Sequence, residues 1–405
     1  MNIHDRLYYI LCLLLILIIV NACKTSQKSL SQSSPIAEDT LQQAVDSVTL
    51  ELPVYYITQK GDTLLSLDEE VSIETYRVLP DSISLMAVGD IMMGTNFPNS
   101  SYLPAKDGSY LWNDVCDLLS SADITFGNLE GTMLDGEGEP KECNNPKACY
   151  LFRMPSYLSG NLTRCGFDLI SIANNHANDF GPTGRKSTQR ILDSLGIGQA
   201  GSIESPYTIH KIGGLYVGFV AFAPNKGTLL FHNQEQAIEI VKELDSLADL
   251  IVVSIHGGAE GADNQNITRK REFYYGEDRG NIYEFSHILI DHGADVILGH
   301  GPHVPRAMEV YKERIIAYSL GNFLTYGRFN LKGAAGLAPI LEANLAVDGK
   351  FLSGQIHSFR QSYTNGPLKD SGKTAAATIK KLSEEDFPEN QIFIEEDGRI
   401  FYIQN

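Results

Sequence analysis

Short, strongly apolar runs recur along the chain from residue 82 onward, and they have the length and Val/Ile content of buried strands. Amphipathic segments of helical length lie between several of them. Because strands that alternate with helices favour a sheet covered on both faces, the pattern predicts an α/β core. The predicted strands are 84–89, 123–126, 168–173, 215–223, 249–255 and 295–298, and the predicted helices are 111–122, 182–195, 234–247 and 281–291.

Five of these strands are followed directly by carboxylate, amide or imidazole side chains. Ligands bind beyond the carboxyl ends of strands in α/β sheets, and divalent transition metals prefer carboxylate and imidazole ligands. Each motif alone is also typical of an ordinary turn or helix cap. Their coincidence at strand ends predicts a metal site, and the motifs are Gly89-Asp90-Ile91-Met92, Gly127-Asn128-Leu129-Glu130, Asn174-Asn175-His176, His256-Gly257-Gly258-Ala259-Glu260 and Gly299-His300-Gly301-Pro302-His303.

The charge composition limits the class of partner. The 405 residues include 32 basic and 50 acidic side chains, which gives a formal net charge of −18. A nucleic-acid-binding protein would carry a basic patch, so we expect no nucleic-acid partner. The 43% of hydrophobic residues suffices for a sizeable core, and the sequence is not typical of a disordered chain.

The N-terminus indicates where the protein works. Residues 7–20 form an unbroken apolar run that is too short for a comfortable membrane span but matches a signal-peptide core. The sequence Val20-Asn21-Ala22-Cys23 resembles a bacterial lipobox, in which the cysteine becomes the lipidated N-terminus. An uncleaved N-terminal anchor is the alternative, and both place the body outside the cytoplasm. We expect export and attachment through Cys23 to the cell envelope, on the periplasmic face of the outer membrane.

The body of the chain contains an even number of cysteines, Cys116, Cys143, Cys149 and Cys165. Outside the cytoplasm these are disulfide candidates, whereas the lack of a C-x-x-C pair disfavours a zinc site. Four cysteines allow three pairings. Because Cys143 and Cys149 flank a turn-rich loop, we predict a bond between them.

The motifs occur in an order that resembles the CapA family of capsule, or poly-γ-glutamate, synthesis accessory proteins. The resemblance spans residues 83–330 and includes Asn174–Gly181 and Ser319-Leu320-Gly321-Asn322-Phe323. That family is similar in turn to calcineurin-like metallophosphoesterases, which implies a four-layer α/β/β/α sandwich of two packed sheets flanked by helices. The sequence departs from metallophosphoesterases at Met92, Asn128, Ala177 and the residue inserted between His300 and His303.

The resemblance also implies roles for individual residues. It implies metal ligands at Asp90, Glu130, Asn175, His256, His300 and His303, and one or two divalent ions such as Zn, Mn or Fe. His176 would be catalytic, and Asp179, three residues later, would orient its imidazole if the segment turns. Asn322 would lie beside the site and bind substrate. Apart from the resemblance, Arg306 is a positive side chain near the motifs, and we expect it to bind an anionic substrate. The reaction would be metal-assisted hydrolysis.

Composition and resemblance together divide the chain into five parts. We expect a lipoprotein signal peptide (1–22), a flexible tether (23–47), an N-terminal appendage (48–81), a CapA-like metallophosphoesterase-fold domain (82–362) and a C-terminal extension packed on that domain (363–405).

Three functions remain open at this point. The first is a metal-dependent hydrolase that acts on an anionic extracellular polymer or a peptide-like amide. The second is a non-catalytic accessory that binds or exports such a polymer alongside the capsule-synthesis machinery. The third is a phosphoesterase that acts on small phosphorylated compounds.

Overall fold

The computed structural model describes residues 80–142 and 150–403. The predicted signal peptide, the tether, the appendage as far as residue 79, the lipidation site Cys23 and the pair Cys143 and Cys149 lie outside the described residues. Among the described residues, no helix has both the length and the apolar character needed to cross a membrane.

Helices separate several of the strands between residues 82 and 300, as the sequence predicts, and seven further strands then follow without an α-helix between them. The α-helices are α1 (Cys116–Leu119), α2 (Gly160–Arg164), α3 (Gly181–Ser194), α4 (Gln234–Asp245), α5 (Ile282–Asp291) and α6 (Thr374–Asp386). The strands are β1 (Ser82–Met92), β2 (Ile124–Leu129), β3 (Thr132–Met133), β4 (Arg153–Met154), β5 (Leu169–Ser171), β6 (Gly198–Ala200), β7 (Tyr207–Ile212), β8 (Leu215–Phe222), β9 (Leu250–His256), β10 (Glu272–Tyr274), β11 (Glu277–Gly280), β12 (Val296–His300), β13 (Met308–Tyr311), β14 (Arg314–Ala317), β15 (Asn322–Thr325), β16 (Ile340–Ala346), β17 (Phe351–His357), β18 (Phe359–Ser362), β19 (Gly366–Lys369), β20 (Ile392–Ile394) and β21 (Arg399–Tyr402).

Two sheets form the centre of the domain. The larger has nine strands in the order β20-β21-β17-β16-β1-β2-β5-β6, with β15 also paired to β1. The smaller has six strands in the order β13-β14-β12-β9-β8-β7. Its strands β8, β9, β12 and β14 are parallel, and β1, β2, β5 and β6 are parallel in the larger sheet. The carboxyl ends of β1 and β2 therefore share one edge of their sheet, as do those of β9 and β12.

The packing of apolar side chains defines four layers. One cluster joins the facing sides of the two sheets through residues such as Phe126 and Phe219. A second covers the outer face of the larger sheet and includes Leu162 of α2 and Leu192 of α3. A third covers the smaller sheet with apolar residues of α4 and α5, including Leu244 and Leu289. The predicted four-layer α/β/β/α arrangement is confirmed.

The predicted helix over 111–122 is wrong in extent. A 3₁₀ turn over Ser109–Trp112 and the four-residue helix α1 replace it. Asn113 and Asp114 lie between the two pieces, and both residue types have low helix propensity. Cys116 of α1 forms a disulfide with Cys165, with their Cα atoms 4.5 Å apart. The predicted Cys143–Cys149 bond stays a prediction.

An aspartate precedes several of the parallel strands, and its side chain hydrogen-bonds to the start of the neighbouring strand. In each case one carboxylate oxygen accepts a hydrogen bond from a backbone N–H of that neighbour, at 2.7–2.8 Å. The contact fixes where the two strands begin relative to each other. The pairs are Asp123 with Ser84, Asp168 with Thr125, Asp249 with Tyr216 and Asp295 with Ile251.

The contact made by Asp295 should make the stability of the fold depend on pH. Burial raises the pKa of its carboxyl to about 6, despite the hydrogen bond from Ile251 and the ion pair with Arg314. The folded pKa therefore exceeds the usual unfolded value of about 3.9. The stability linked to this group is fully present below that unfolded value and is lost as pH rises through 6.

We therefore expect Asp295→Asn, which cannot ionise, to remove up to about 3 kcal/mol of the pH dependence of the free energy of unfolding between pH 4 and 7. Urea unfolding at several pH values measures this difference. Parallel profiles for the variant and the wild type would contradict it.

Candidate metal centre

One segment of backbone crosses the ends of both sheets and brings them together. The amide of Leu320 donates to the carbonyl of Gly299, and the amide of Asp90 donates to the carbonyl of Gly321. A Cβ atom at Gly89 would lie 2.0 Å from the Gly321 oxygen, and one at Gly299 would lie 2.1 Å from the Tyr318 oxygen. Only glycine permits these approaches. This explains why a glycine stands immediately before both Asp90 and His300.

Three predicted ligands converge at this edge. Asp90, Glu130 and His303 each offer a ligand atom within 4.8 Å of the others. His303 Nδ1 lies 2.9 Å from Asp90 Oδ2, and its Nε2 lies 3.6 Å from Glu130 Oε1. Two carboxylates and one imidazole are a ligand set that suits a divalent cation. These three residues therefore form a candidate metal-binding triad.

Two more predicted ligands, His256 and His300, lie beside the triad. They are register neighbours on the parallel strands β9 and β12, and both side chains are fully buried. His300 Nδ1 lies 3.3 Å from Asp90 Oδ1, and the ring of His256 lies 6.3 Å from that of His303. None of the four ring nitrogens of His256 and His300 has a hydrogen-bond partner within the described chain. Buried imidazole nitrogens normally have a partner, and a metal ion would supply one.

The electrostatics of these groups fit a cation. Burial lowers the pKa of His256 well below its usual value, so the ring is neutral and has a lone pair to offer. Burial opposes ionisation of Asp90, but the nearby imidazoles of His300 and His303 outweigh it and lower the pKa of Asp90. Burial also raises the pKa of Glu130 well above its usual value. A divalent ion at this point would stabilise the ionised form of Glu130.

His176 faces the triad from the segment that follows β5. Its Nδ1 lies 2.8 Å from Asp179 Oδ2, the geometry of an N–H donated to a carboxylate, and its Nε2 lies 3.9 Å from Glu130 Oε1. The segment turns, as the predicted orienting role of Asp179 requires, because the amide of Asp179 donates to the carbonyl of His176. Asp179 also accepts a hydrogen bond from the amide of Phe152 at 2.7 Å and pairs with Lys141 Nζ at 2.6 Å.

An aromatic wall flanks these imidazoles. The ring of Phe152 lies 4.2 Å from that of His176 and stacks on Phe329 at 5.1 Å. Phe329 in turn lies 5.7 Å from His303.

The predicted ligand Asn175 is half-buried, and its side-chain oxygen has no partner among the described residues.

Sequence reasoning missed the amides that hold the ligands in place. Asn128 Nδ2 donates to Asp90 Oδ1 at 2.8 Å, and Asn174 Nδ2 donates to Asn128 Oδ1 at 3.2 Å. Asn322, predicted to bind substrate, has its oxygen 3.1 Å from His303 Nδ1 and donates to the His303 carbonyl. Asn322 therefore positions His303. The signal available in the sequence was that Asn128 and Asn174 stand directly after the predicted strands 123–126 and 168–173 or within two residues of them.

Arg306 does not have the substrate-binding role that we expected. It is fully buried, and its guanidinium donates to both carboxylate oxygens of Glu272, at 3.0 and 2.8 Å, and to the carbonyl of Ala259. Glu272 also accepts from the amide of Ala259 at 2.7 Å. The pair therefore braces the loop after His256, and no substrate reaches this guanidinium without breaking a buried ion pair.

Comparison with known proteins relates this chain to a bacterial family. Residues 84–326, more than half of the chain, match the family described as bacterial capsule synthesis protein PGA_cap. The chain is 28% identical to the capsule biosynthesis protein CapA of Bacillus anthracis over 296 residues, which is 68% of each chain. It is 28% identical to the PGA biosynthesis protein CapA of Bacillus subtilis (strain 168) over 372 residues, covering 88% of this chain and 90% of that one.

Solved structures that align with the chain include the following two. A putative 5′-nucleotidase from Staphylococcus aureus aligns with a TM-score of 0.39 at 14% identity, over 75% of this chain and 58% of that one. The purple acid phosphatase PPD1 from yellow lupin aligns with a TM-score of 0.36 at 9% identity, over 73% of this chain and 54% of that one. These distant likenesses carry no conclusion about activity. The family match over residues 84–326 does decide the family: the chain belongs to the PGA_cap family of bacterial capsule synthesis proteins.

Proposed function

We propose that the chain is an exported, metal-dependent hydrolase that acts on an anionic extracellular polymer, such as poly-γ-glutamate or capsule material. The observation that carries this proposal is the set of unpartnered ring nitrogens of His256 and His300 beside two buried carboxylates. Unpartnered buried imidazoles cost stability in the absence of a ligand, and such costs are concentrated at functional sites.

The ligand set narrows the cofactor to one or two divalent ions of the Zn, Mn or Fe class. Asp90, Glu130 and His303 would form the first site, with His300, His256 and Asn175 completing the coordination. When bound, such an ion lowers the pKa of water and polarises the attacked bond. His176 would move a proton at Nε2, because Asp179 engages Nδ1 and fixes the tautomer.

The substrate class comes from the relatives and from the site. One relative is named a PGA biosynthesis protein and another a capsule biosynthesis protein. A divalent ion gives a chain with a net charge of −18 the local positive potential that a polyanion needs. Capsule-synthesis machinery is the setting in which we expect the protein to act.

The proposed location outside the cytoplasm draws support from the Cys116–Cys165 disulfide, since such bonds persist in oxidising compartments. Lipidation of Cys23 and attachment to the envelope are part of the proposal. So is the division into residues 1–22, 23–47, 48–81, 82–362 and 363–405.

The test is a cleavage assay on purified poly-γ-glutamate. We expect the protein loaded with Zn²⁺, Mn²⁺ or Fe²⁺ to shorten the polymer, as measured by size-exclusion chromatography. We expect EDTA to stop the reaction and added metal to restore it. If the metal-loaded protein binds the polymer but leaves its length unchanged, the hydrolase proposal is wrong and the accessory-binding function takes its place. Release of phosphate from p-nitrophenyl phosphate without polymer cleavage would favour the phosphoesterase.

A further inference from the structure

The hairpin of β10 and β11 carries aromatic side chains in an unusual place. Phe273 is 61% exposed and Tyr275 is 92% exposed, the highest value among the large apolar side chains of the described residues. The rings of Tyr274 and Tyr275 lie 4.5 Å apart. Large exposed aromatics gain nothing for the fold, and exposed apolar groups in clusters mark sites of interaction.

The backbone conformation at the tip of the hairpin is also unfavourable for a tyrosine. Tyr274 pairs with Glu277, so Tyr275 and Gly276 form a two-residue turn, and their φ angles are +46° and +80°. Such a turn favours Asn or Gly at its first position, because a larger L-residue is strained there. The β7–β8 hairpin has Gly213-Gly214 at its tip and the β13–β14 hairpin has Lys312-Glu313. Tyr275, like Lys312, therefore adopts this conformation at a cost to stability.

The hairpin is rooted in the loop that follows His256. Glu272 at its first strand accepts from the amide of Ala259, and the carbonyl of Arg279 at its second strand accepts from the amide of Gly258 at 2.8 Å. The Arg279 side chain also donates to Glu260 at 2.9 Å. Strand β10 is three residues long, so the backbone of Tyr275 lies within about 10 Å of the loop that Glu272 contacts.

Basic side chains precede the aromatic ones. The sequence Arg269-Lys270-Arg271 stands immediately before the hairpin in a chain that is otherwise strongly acidic. Arg269 is engaged by the Asp386 carbonyl and by Glu389, whereas Lys270 is exposed. The Arg271 side chain is 64% exposed and lies 3.3 Å from Asp278.

We propose that the β10–β11 hairpin holds the polymer chain next to the metal centre, with poly-γ-glutamate as its ligand. This inference rests on the proposed function for the identity of the polymer. Phe273 and Tyr275 would pack against the methylene groups and amide planes of the polymer backbone. Lys270 and Arg271 would pair with its carboxylates. The bracing contacts to Gly258, Ala259 and Glu260 would keep the bound chain in register with the centre.

The test is a binding measurement by isothermal titration calorimetry with poly-γ-glutamate in EDTA, where no metal-dependent cleavage occurs. We expect Tyr275→Asn and Phe273→Ser each to weaken binding about fivefold, and the double variant to weaken it about 20-fold, since each aromatic contact is worth a modest amount. Tyr275→Asn should unfold at the same or higher denaturant concentration, because Asn tolerates the left-handed conformation. Tyr275→Phe should bind like the wild type.

Phe393→Ser is the matched control. Phe393 is 50% exposed on β20, a strand at the far edge of the larger sheet, and its loss should leave binding within twofold. Wild-type affinity in the Tyr275→Asn and Phe273→Ser double variant would overturn the proposal, as would a wild-type protein that does not bind the polymer in EDTA. Binding that depends on the hairpin without any cleavage in metal would leave this inference standing and remove the hydrolase.

Discussion

Replacing His256 with leucine is expected to abolish metal binding and, in EDTA, to stabilise the protein. The His256 ring is fully buried, and neither nitrogen has a partner among the described residues. An unsatisfied buried polar group costs about 1–3 kcal/mol, and leucine of similar volume removes that cost. We therefore expect the free energy of unfolding in EDTA to rise by about 1–3 kcal/mol. Metal per chain, measured by elemental analysis, should fall close to zero.

The variant is expected to lose metal but to gain stability in EDTA. This combination distinguishes a metal ligand from an ordinary core residue. Added metal should stabilise the wild type, because it binds only the folded state, and should leave the variant unchanged. His357→Leu is the control: His357 is half-buried on β17 and hydrogen-bonded to Glu342, away from the triad. It should keep its metal. A His256→Leu protein that keeps its metal, or that loses stability in EDTA, would refute the assignment.

The second large effect concerns the pair His176 and Asp179. Asp179→Asn should lower kcat for polymer cleavage by about 10²–10⁴, because general acid–base catalysis contributes on that scale and the amide can donate to Nδ1 and so reverse the tautomer. The metal content should stay at the wild-type level, since neither residue is one of the proposed metal ligands. Steady-state kinetics together with elemental analysis measure both quantities.

Non-additivity supplies the control for this pair. If His176 and Asp179 act as one unit, His176→Ala alone and the His176→Ala, Asp179→Asn double variant should show the same kcat. A loss of activity in Asp179→Asn that merely follows a loss of metal would show that the pair supports the metal site and has no role in proton transfer.

The C-terminal part of the chain shows why some elements were missed. Residues 340–346 and 351–357 form the long antiparallel strands β16 and β17, yet no strand was predicted there. The side chains of β16 alternate between buried and partly exposed positions over most of the strand, and most side chains of β17 are at least partly exposed. The six apolar runs used for the prediction are nearly continuous because the parallel strands are buried on both faces, and a half-buried strand gives a weaker run.

Arg306 and Asn322 show the same limit within the site. Asn322 was expected beside the centre because it belongs to a motif, and Arg306 because it lies near one. Their contacts in the folded structure decide their roles. Glu272, 34 residues before Arg306, neutralises the charge of Arg306, and the side-chain amide of Asn322 donates to the carbonyl of His303. A sequence shows the chemistry that a side chain offers. It does not show which distant group already uses that chemistry.

By itself, the sequence determined the α/β alternation, the glycines before Asp90 and His300, and the set of candidate ligands at strand ends, because these depend on residue type and on local period. Only the tertiary structure decided that His303, 213 residues from Asp90, would sit 2.9 Å from it. It also decided that the backbone at 320–321 would tie the two sheets together and that the hairpin at 272–280 would be braced against the loop after His256. The physical reason is that strand register and close packing join residues far apart in the chain, and no local pattern encodes those pairings.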